Sequence, residues 1–194
     1  FETEGAKQQM AATLGQMASA YMGKGEYDKA IEYEERRLAL SREIGHEEGQ
    51  AISLHQLSIL YMLKGDEAAR RGQQQAASRF HQQALCLSQE AEDLNRKLGR
   101  ESGVAANLHQ QGLTLVRLNR PAEAWERFRE SLEISRRIGN EAGAADTLGE
   151  MGKLLMVDGR MGEAIAAFKE VLEIYQRLGL WPKVAISLEM LGLV

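Results

Sequence analysis

Four histidines and one cysteine are the side chains whose chemistry could support metal binding or catalysis. His55 and His109 occupy equivalent positions, each directly after a recurring leucine, Leu54 or Leu108. Neighbouring helices lie ~8–10 Å apart, so the two imidazoles could approach each other, but a metal ion needs a third ligand. No histidine stands at a recognisable catalytic spacing from Cys86. We therefore predict a buried structural Cys86, and no catalytic residue, cofactor or metal.

Charge and composition exclude several classes of function. The 194 residues carry 24 bases and 28 acids, a formal net charge of −4, and the two signs are interleaved. Binding to nucleic acid requires a basic stripe that neutralises phosphates, and crossing a bilayer requires about 18 consecutive apolar residues. The sequence has neither feature, and residues 1–5 do not resemble a signal peptide. With a single cysteine, these features predict a cytoplasmic protein that binds neither nucleic acid nor membrane.

One short segment recurs five times along the chain. Its leucines are separated by 40, 54, 40 and 40 residues, and they are Leu14, Leu54, Leu108, Leu148 and Leu188. Four residues after each leucine stands a small residue, in order Ala18, Ser58, Gly112, Gly152 and Gly192. Spacings of three and four place these residues on one face of a helix. The small residues therefore mark where a neighbouring helix can approach closely.

A second helix follows in each of the first four copies. It opens near an alanine and ends at a glycine, which is Gly45, Gly99, Gly139 or Gly179. The turns inside the copies carry Gly25, Asn119 and Gly159. Glycine just past a helix can adopt the left-handed conformation that satisfies the last carbonyl groups. The pattern predicts a series of antiparallel helix pairs.

These features resemble the tetratricopeptide repeat. The resemblance rests on the small residue of the first helix, the aromatic residue three positions later (Tyr21, Tyr61), the Gly25-Glu26-Tyr27 turn and the alanine that follows. The 40-residue length and the Gly-x-Glu-x-Gly connectors at 45–49, 99–103 and 139–143 resemble the longer variant found in LGN/Pins-type scaffolds and in bacterial signalling proteins. The resemblance implies an all-α fold, a right-handed α-solenoid of about nine helices.

The repeats divide the chain as a single array. Repeat 1 covers about 6–45, repeat 2 about 46–99, repeat 3 about 100–139, repeat 4 about 140–179, and a half repeat 5 covers about 180–194. The last half repeat ends on the apolar pair Leu193 and Val194. We therefore expect the chain to be a fragment of a longer protein.

Repeat 2 is longer than the others, and its sequence leaves two interpretations. If its turn lies at Gly72, each helix of the pair has gained seven residues, about two turns, and the tip projects ~10 Å. If the turn lies at Gly65, residues 66–73 form a loop instead. The longer tip carries Arg70 and Arg71. Its extra length either reflects sequence drift that is tolerated at the edge of the solenoid, or the tip contacts a partner through these two arginines.

The resemblance also implies where a ligand would bind. In this family the contacts come from positions one, five and eight residues past the leucine, on the concave side of the first helices. Here the predicted groove residues are Met22, His55, Ile59, Met62, His109, Leu113, Val116, Lys153 and Met156. Lys153 is the one cation among them, so capture of a peptide's C-terminal carboxylate is not expected. A methionine-rich apolar strip suits adaptable binding of an amphipathic helix or an apolar peptide, unless the strip packs internally.

The sequence thus favours a protein–protein interaction scaffold and not an enzyme. Its expected partner is a helix or peptide of another protein, or another domain of its own chain. Two alternatives stay open: a ligand-responsive regulatory domain of a bacterial signalling protein, and a homo-oligomerisation module. We expect a monomer or weak self-association.

Overall fold

The computed structural model describes residues 2–192, so Phe1, Leu193 and Val194 lie outside the described residues. Nine α-helices and their short turns make up the described part of the chain. Their bounds are α1 Glu2–Gly23, α2 Tyr27–Glu43, α3 Glu47–Arg70, α4 Gln74–Lys97, α5 Glu101–Arg117, α6 Pro121–Arg137, α7 Glu141–Val157, α8 Met161–Arg177 and α9 Trp181–Met190. Each helix packs mainly on the helices before and after it. The all-α solenoid expected from the repeats is therefore confirmed.

A residue with a left-handed backbone conformation lies just past the end of each helix from α1 to α8. At the end of α2, Gly45 has φ +66°, its N–H donates to the carbonyl of Arg42, and the N–H of His46 donates to the carbonyl of Ser41 at 2.9 Å. This pair of bonds satisfies the last carbonyl groups of the helix. Asn119 has φ +58° and serves α5 in the same way. The predicted caps are confirmed.

The small residues of the first helices receive aromatic rings of the second helices. A Cβ added at Gly112 would collide with Cε1 of Phe128, and one at Gly152 would lie 2.7 Å from Cε1 of Phe168. Phe128 is fully buried and Phe168 is 3% exposed. The predicted close approach of helices at this column is therefore confirmed in α5–α6 and in α7–α8.

The second pair of helices is the long one. α3 and α4 have 24 residues each, whereas α5, α6, α7 and α8 have 17 each. Gly72 has φ +75° and forms the turn, while Gly65 lies buried inside α3. The interpretation of residues 66–73 as a loop is therefore wrong. Gly65 is a helical glycine because the imidazole of His81 occupies the space where its Cβ would stand.

The curvature of the stack brings the first helices together. α3 contacts α5 and α5 contacts α7 directly, in addition to the contacts within each pair. The first helices therefore lie on the inner, concave side and the second helices on the outer side. No described helix is long and apolar enough to span a membrane.

Candidate functional site

The concave side of α3, α5 and α7 carries a groove with an apolar centre, which we call the concave groove. Ile59 and Leu113 lie half-buried at this centre, and His55 and His109 lie half-buried beside them. Of the other predicted groove residues, Met22 is half-buried, Lys153 is exposed, and Val116 and Met156 are 39% and 38% exposed. His55, Ile59, His109, Leu113 and Lys153 line cavities of the groove and form the candidate site. Met22 instead packs against the core cluster that contains Leu54 and Leu57, and Val116 and Met156 line neither cavity.

Met62 does not belong to the accessible part of this surface. Its side chain is only 6% exposed, and the side-chain amide of Gln110, itself buried, lies 3.2 Å from its sulfur atom. At this position α5 covers α3, and Met62 packs between the two helices. Its prediction as a partner contact needs correction, since this side chain is taken up by the packing between α3 and α5.

The two histidines of the groove each hydrogen-bond to the next first helix. The Nδ1 atom of His55 lies 2.8 Å from Oδ1 of Asn107, and the amide nitrogen of Asn107 donates to the carbonyl of Gly103 at 2.9 Å. Oδ1 of Asn107 therefore accepts, and Nδ1 of His55 carries the proton. His109 lies 3.0 Å from Oγ1 of Thr147 in the same arrangement, because that hydroxyl donates to the carbonyl of Gly143.

Both imidazoles are held neutral by their surroundings. Burial lowers the pKa of His55 and outweighs the hydrogen bond to Asn107, which acts in the opposite direction. Burial also lowers the pKa of His109, and the carboxylates of Glu150 and Asp146 offset part of that effect. The ring of His109 packs at 55° on the ring of Phe128, with centroids 5.6 Å apart. These histidines therefore present neutral, oriented rings to the groove.

Two adjoining cavities open along the concave groove. One, of about 340 Å³, lies between α3, α5 and α7 and is lined by His55, Ile59, His109 and Leu113 among others. The other, of about 260 Å³, lies between α5, α7 and α9 and has Phe168 and Val171 of α8 in its lining. His109 and Asp146 belong to both. The groove thus consists of two adjoining depressions whose linings combine apolar and polar side chains.

Charged side chains at the α7–α9 end of the groove are paired. Lys153 donates to Glu150 at 2.6 Å, and Lys183 donates to Asp146 at 2.5 Å. The hydroxyl of Tyr175 also donates to Asp146, at 2.6 Å, and burial, followed by that carboxylate, raises the pKa of Tyr175. Since each ammonium faces a carboxylate, this rim offers both donors and acceptors without surplus charge.

Sequence reasoning missed the polar partners of the groove histidines. Asn107 and Thr147 each stand directly before a repeat leucine. Each bonds to a histidine of the preceding repeat, so a pattern within one repeat does not show the pairing. Asp146 and Lys183 were also missed, because pairing between them depends on how α7 and α9 pack.

The tip of the long pair carries both predicted arginines at its surface. Arg70 and Arg71 lie at the end of α3 and in the turn after it, and Arg71 is exposed and forms an ion pair of 2.6 Å with Glu67. Below them, Asp66 lies 3.0 Å from Nε2 of His81, and its two carboxylate oxygens share a hydrogen bond from Nε of Arg117 in α5, at 2.7 and 2.8 Å. The tip is therefore fastened to the next repeat, and a partner contact at the two arginines stays a prediction.

Cys86 was predicted to be buried, and this is wrong: its side chain is exposed. The buried face of α4 follows His81, Leu85, Ser88 and Asn95 at helical spacing, and Cys86 projects away from that face. Among the described residues, no three His, Cys, Asp or Glu side chains form a group that could hold a metal ion.

Comparison with known proteins supports the fold. Residues 13–48 match the family model for the tetratricopeptide repeat. The TPR-like repeats of a putative kinesin light chain from Podosopora anserina, in a Q17M form, superpose with a TM-score of 0.65 and 19% identity over 93% of this chain and 86% of that chain. A thermophilic TPR protein of Thermus thermophilus superposes with a TM-score of 0.53 and 18% identity over 92% of this chain and 98% of that one. No curated protein matches the chain significantly in sequence.

Proposed function

We propose that this chain, a tetratricopeptide repeat protein, is an interaction scaffold that holds a peptide segment of a partner protein in its concave groove. The repeat fold supports a protein-interaction scaffold in general. The observation that carries the specific proposal is the pair of linked cavities, about 340 and 260 Å³, that share His109 and Asp146 on the inner side of the stack.

The lining of the concave groove suits a peptide. Ile59 and Leu113 supply apolar contact area, whose burial stabilises a complex by about 25 cal/mol per Å². Neutral His55 and His109 supply hydrogen-bonding groups beside that strip. An apolar strip with a few placed polar groups is the usual composition of a site that binds a helix or an extended peptide.

The charges of the groove do not suit a phosphate backbone. Lys153 and Lys183 each pair with a carboxylate, so neither is free to neutralise a phosphate group. The net charge of −4 adds long-range repulsion of polyanions. A peptide of mixed composition meets neither obstacle.

Substitutions on the concave side test the proposal. A displayed library of random peptides is screened for peptides that bind the intact chain. The dissociation constants of these peptides are then measured with the variants. Val116→Asp and Met156→Asp place a charge on exposed positions that the repeat register predicts to face the groove, and Ile59→Asp places one at the centre. We expect affinity to fall by about tenfold or more for each, as for contacts that matter to an interface.

The matched control is Ile165→Asp, because Ile165 is an exposed apolar residue of comparable exposure, 42%, on the second helix α8. This variant should bind as the parent chain does, and circular dichroism should show equal helicity for all variants. Peptides that bind every groove variant with unchanged affinity would contradict the proposal. Light scattering on the same samples distinguishes self-association from peptide binding.

A further inference from the structure

One position of the repeat carries an imidazole in two first helices and no side chain in two others. The residue after each repeat leucine is Gly15, His55, His109, Gly149 or Glu189. In α3 and α5 this residue is a histidine whose ring bridges to the next first helix. In α1 and α7 it is a glycine, and no side chain of its own can bridge.

The two glycines differ in what fills the space. At Gly15 the guanidinium of Arg37 takes the place of the side chain, with Nη1 3.0 Å from the position of a Cβ. Arg37 is held there by a 3.0 Å ion pair with the buried carboxylate of Glu34. At Gly149 no heavy atom outside the local helix backbone and the two flanking residues lies within 4 Å of a Cβ position. The space at Gly149 opens into the 260 Å³ cavity.

The surroundings of this space match those of the His109 ring. His109 packs on Phe128 and bonds to Thr147. One repeat of 40 residues later, Phe168 and Ser187 take the places of Phe128 and Thr147, and both line the cavity beside Gly149. The cavity therefore keeps the aromatic floor and the polar partner of a ring, while the ring itself is absent from the chain.

We propose that this depression, the Gly149 notch (Gly149, Phe168, Tyr175, Ser187 and the Asp146–Lys183 pair), receives a neutral aromatic ring with a polar edge from the partner protein. The ring of a tyrosine or histidine of the partner takes the position that the imidazole of His109 takes one repeat earlier. Its face packs on Phe168, and its polar edge bonds to Ser187 and to the rim.

The chemistry of the rim selects this class of side chain. The Asp146–Lys183 pair and the hydroxyl of Ser187 present acceptors and donors together, so a phenol or an imidazole, which both donates and accepts, can satisfy them. A side chain with a full charge would meet one repulsive partner for each attractive one. A purely apolar side chain would desolvate the rim without replacing its hydrogen bonds to water.

The inference deepens the proposed function and rests on it, but it has a test that needs no partner. ¹⁵N-labelled chain is titrated with N-acetyl-L-tyrosinamide, with N-acetyl-L-histidinamide and, as controls, with N-acetyl-L-leucinamide and N-acetyl-L-lysinamide. We expect saturable shifts for the first two probes, confined to the amides of Gly149, Ser187 and their neighbours. The two control probes should give no saturable shift there.

Variants at position 149 show whether the notch itself binds. Gly149→His supplies the missing ring from within the chain and should abolish the shifts, whereas Gly149→Ala leaves most of the space open and should keep them. Both variants should stay helical, since an added Cβ meets open space. Shifts that persist in Gly149→His, equal shifts for all four probes, or no saturable shift with the tyrosine and histidine probes would overturn the inference.

Peptides selected on the groove separate this inference from the proposed function. Peptides that lose affinity with Ile59→Asp and also with Gly149→His support both. Peptides that lose affinity with Ile59→Asp but bind Gly149→His unchanged leave the groove as the binding site and overturn the notch.

Discussion

Glycines of the first helices have two opposite roles at the residue scale. Gly112 is needed because the ring of Phe128 occupies the place of its side chain, whereas Gly149 borders open space. Both lie inside helices, where glycine costs roughly 0.8–1.0 kcal/mol relative to alanine. Only at Gly112 does packing outweigh that cost.

The same substitution at these two glycines should therefore change stability in opposite directions. Gly112→Ala forces its Cβ against the fully buried ring of Phe128, and we expect a loss of about 1–3 kcal/mol in the free energy of unfolding, as for an overpacked core. Gly149→Ala should instead gain up to about 1 kcal/mol from helix propensity. Urea unfolding followed by circular dichroism measures both, and a loss in both variants would contradict the assignment of open space at Gly149.

The groove histidines should make the chain less stable in acid. Burial lowers the pKa of both His55 and His109 below the ordinary value of 6.5. On acidification, the unfolded chain therefore binds protons at these two residues before the folded chain does. Their contribution to stability is present above pH 6.5 and is lost as the pH falls below that value towards the folded-state pKa. The free energy of unfolding should therefore decrease on acidification from about pH 7.

The double variant His55→Gln, His109→Gln isolates this contribution. Its free energy of unfolding should fall less steeply below the ordinary histidine pKa of 6.5 than that of the parent chain, because its two side chains do not titrate. Parallel pH profiles for the two proteins would show that the histidines do not carry the effect.

The sequence predicted individual residues where the repeat register determined their surroundings. The glycine caps and the close contact at Gly112 follow from spacing within one helix pair. The exposure of Cys86 and the burial of Met62 did not follow, because both depend on how α4 and α5 cover their neighbours. The partners of His55 and His109 lie on the next repeat, and a pattern within one repeat does not contain them.

At the scale of the helices, the long α3–α4 pair is fastened by polar contacts near its tip. Asp66 accepts a hydrogen bond from Arg117 of α5 and contacts the buried ring of His81. Burial alone would raise the pKa of Asp66, but the bonds from His81 and Arg117 outweigh it and lower the pKa. The carboxylate of Asp66 is thus the centre of a contact between three helices.

Asp66→Ala should loosen this contact. It leaves His81 and Arg117 without their acceptor, and we expect a loss of about 1–3 kcal/mol in the free energy of unfolding. Glu67→Ala is the matched control, since it removes only the exposed pair with Arg71 and should change stability by less than about 0.5 kcal/mol. Equal effects of the two substitutions would mean that the Asp66 contact adds nothing beyond an exposed ion pair.

The length of this pair was predictable because both helices gained the same number of residues and the spacing of glycines showed it. The polar contacts of Asp66 were not predictable, since Gly65 looked like a turn residue in the sequence and left the position of Asp66 open. Only the packed position of His81 explains why glycine stands inside α3.

At the scale of the whole molecule, a series of ion pairs joins consecutive second helices along the outer side. The interleaved charges of the sequence predict pairs within helices, and such pairs do occur, as between Arg129 and Glu126 at 2.6 Å. The structure adds pairs between helices, at distances of 2.5–3.0 Å: Arg42–Glu90, Arg96–Glu130 and Arg136–Glu170. These pairs depend on the register of neighbouring repeats, and exposed pairs of this kind each contribute about 0–1 kcal/mol.

The two sides of the solenoid thus have different chemistry. The outer side carries the ion pairs between second helices together with single exposed apolar residues such as Ile165, while the inner side carries the two adjoining cavities, the histidines and the apolar strip of Ile59 and Leu113. Stability in a solenoid is shared between neighbouring repeats. The inner side can therefore carry apolar side chains that are only partly covered, without loss of the fold. This asymmetry is the basis of the proposal that partners bind on the inner side.

Chemical-shift mapping of the intact ¹⁵N-labelled chain with a selected peptide tests this central claim most directly. We predict that the shifted amides belong to α3, α5 and α7 around His55, Ile59, His109, Leu113 and Lys153, with unchanged amides on the outer surface of α4, α6 and α8. A map centred on the outer surface, or on the tip at Arg70 and Arg71, would contradict the account.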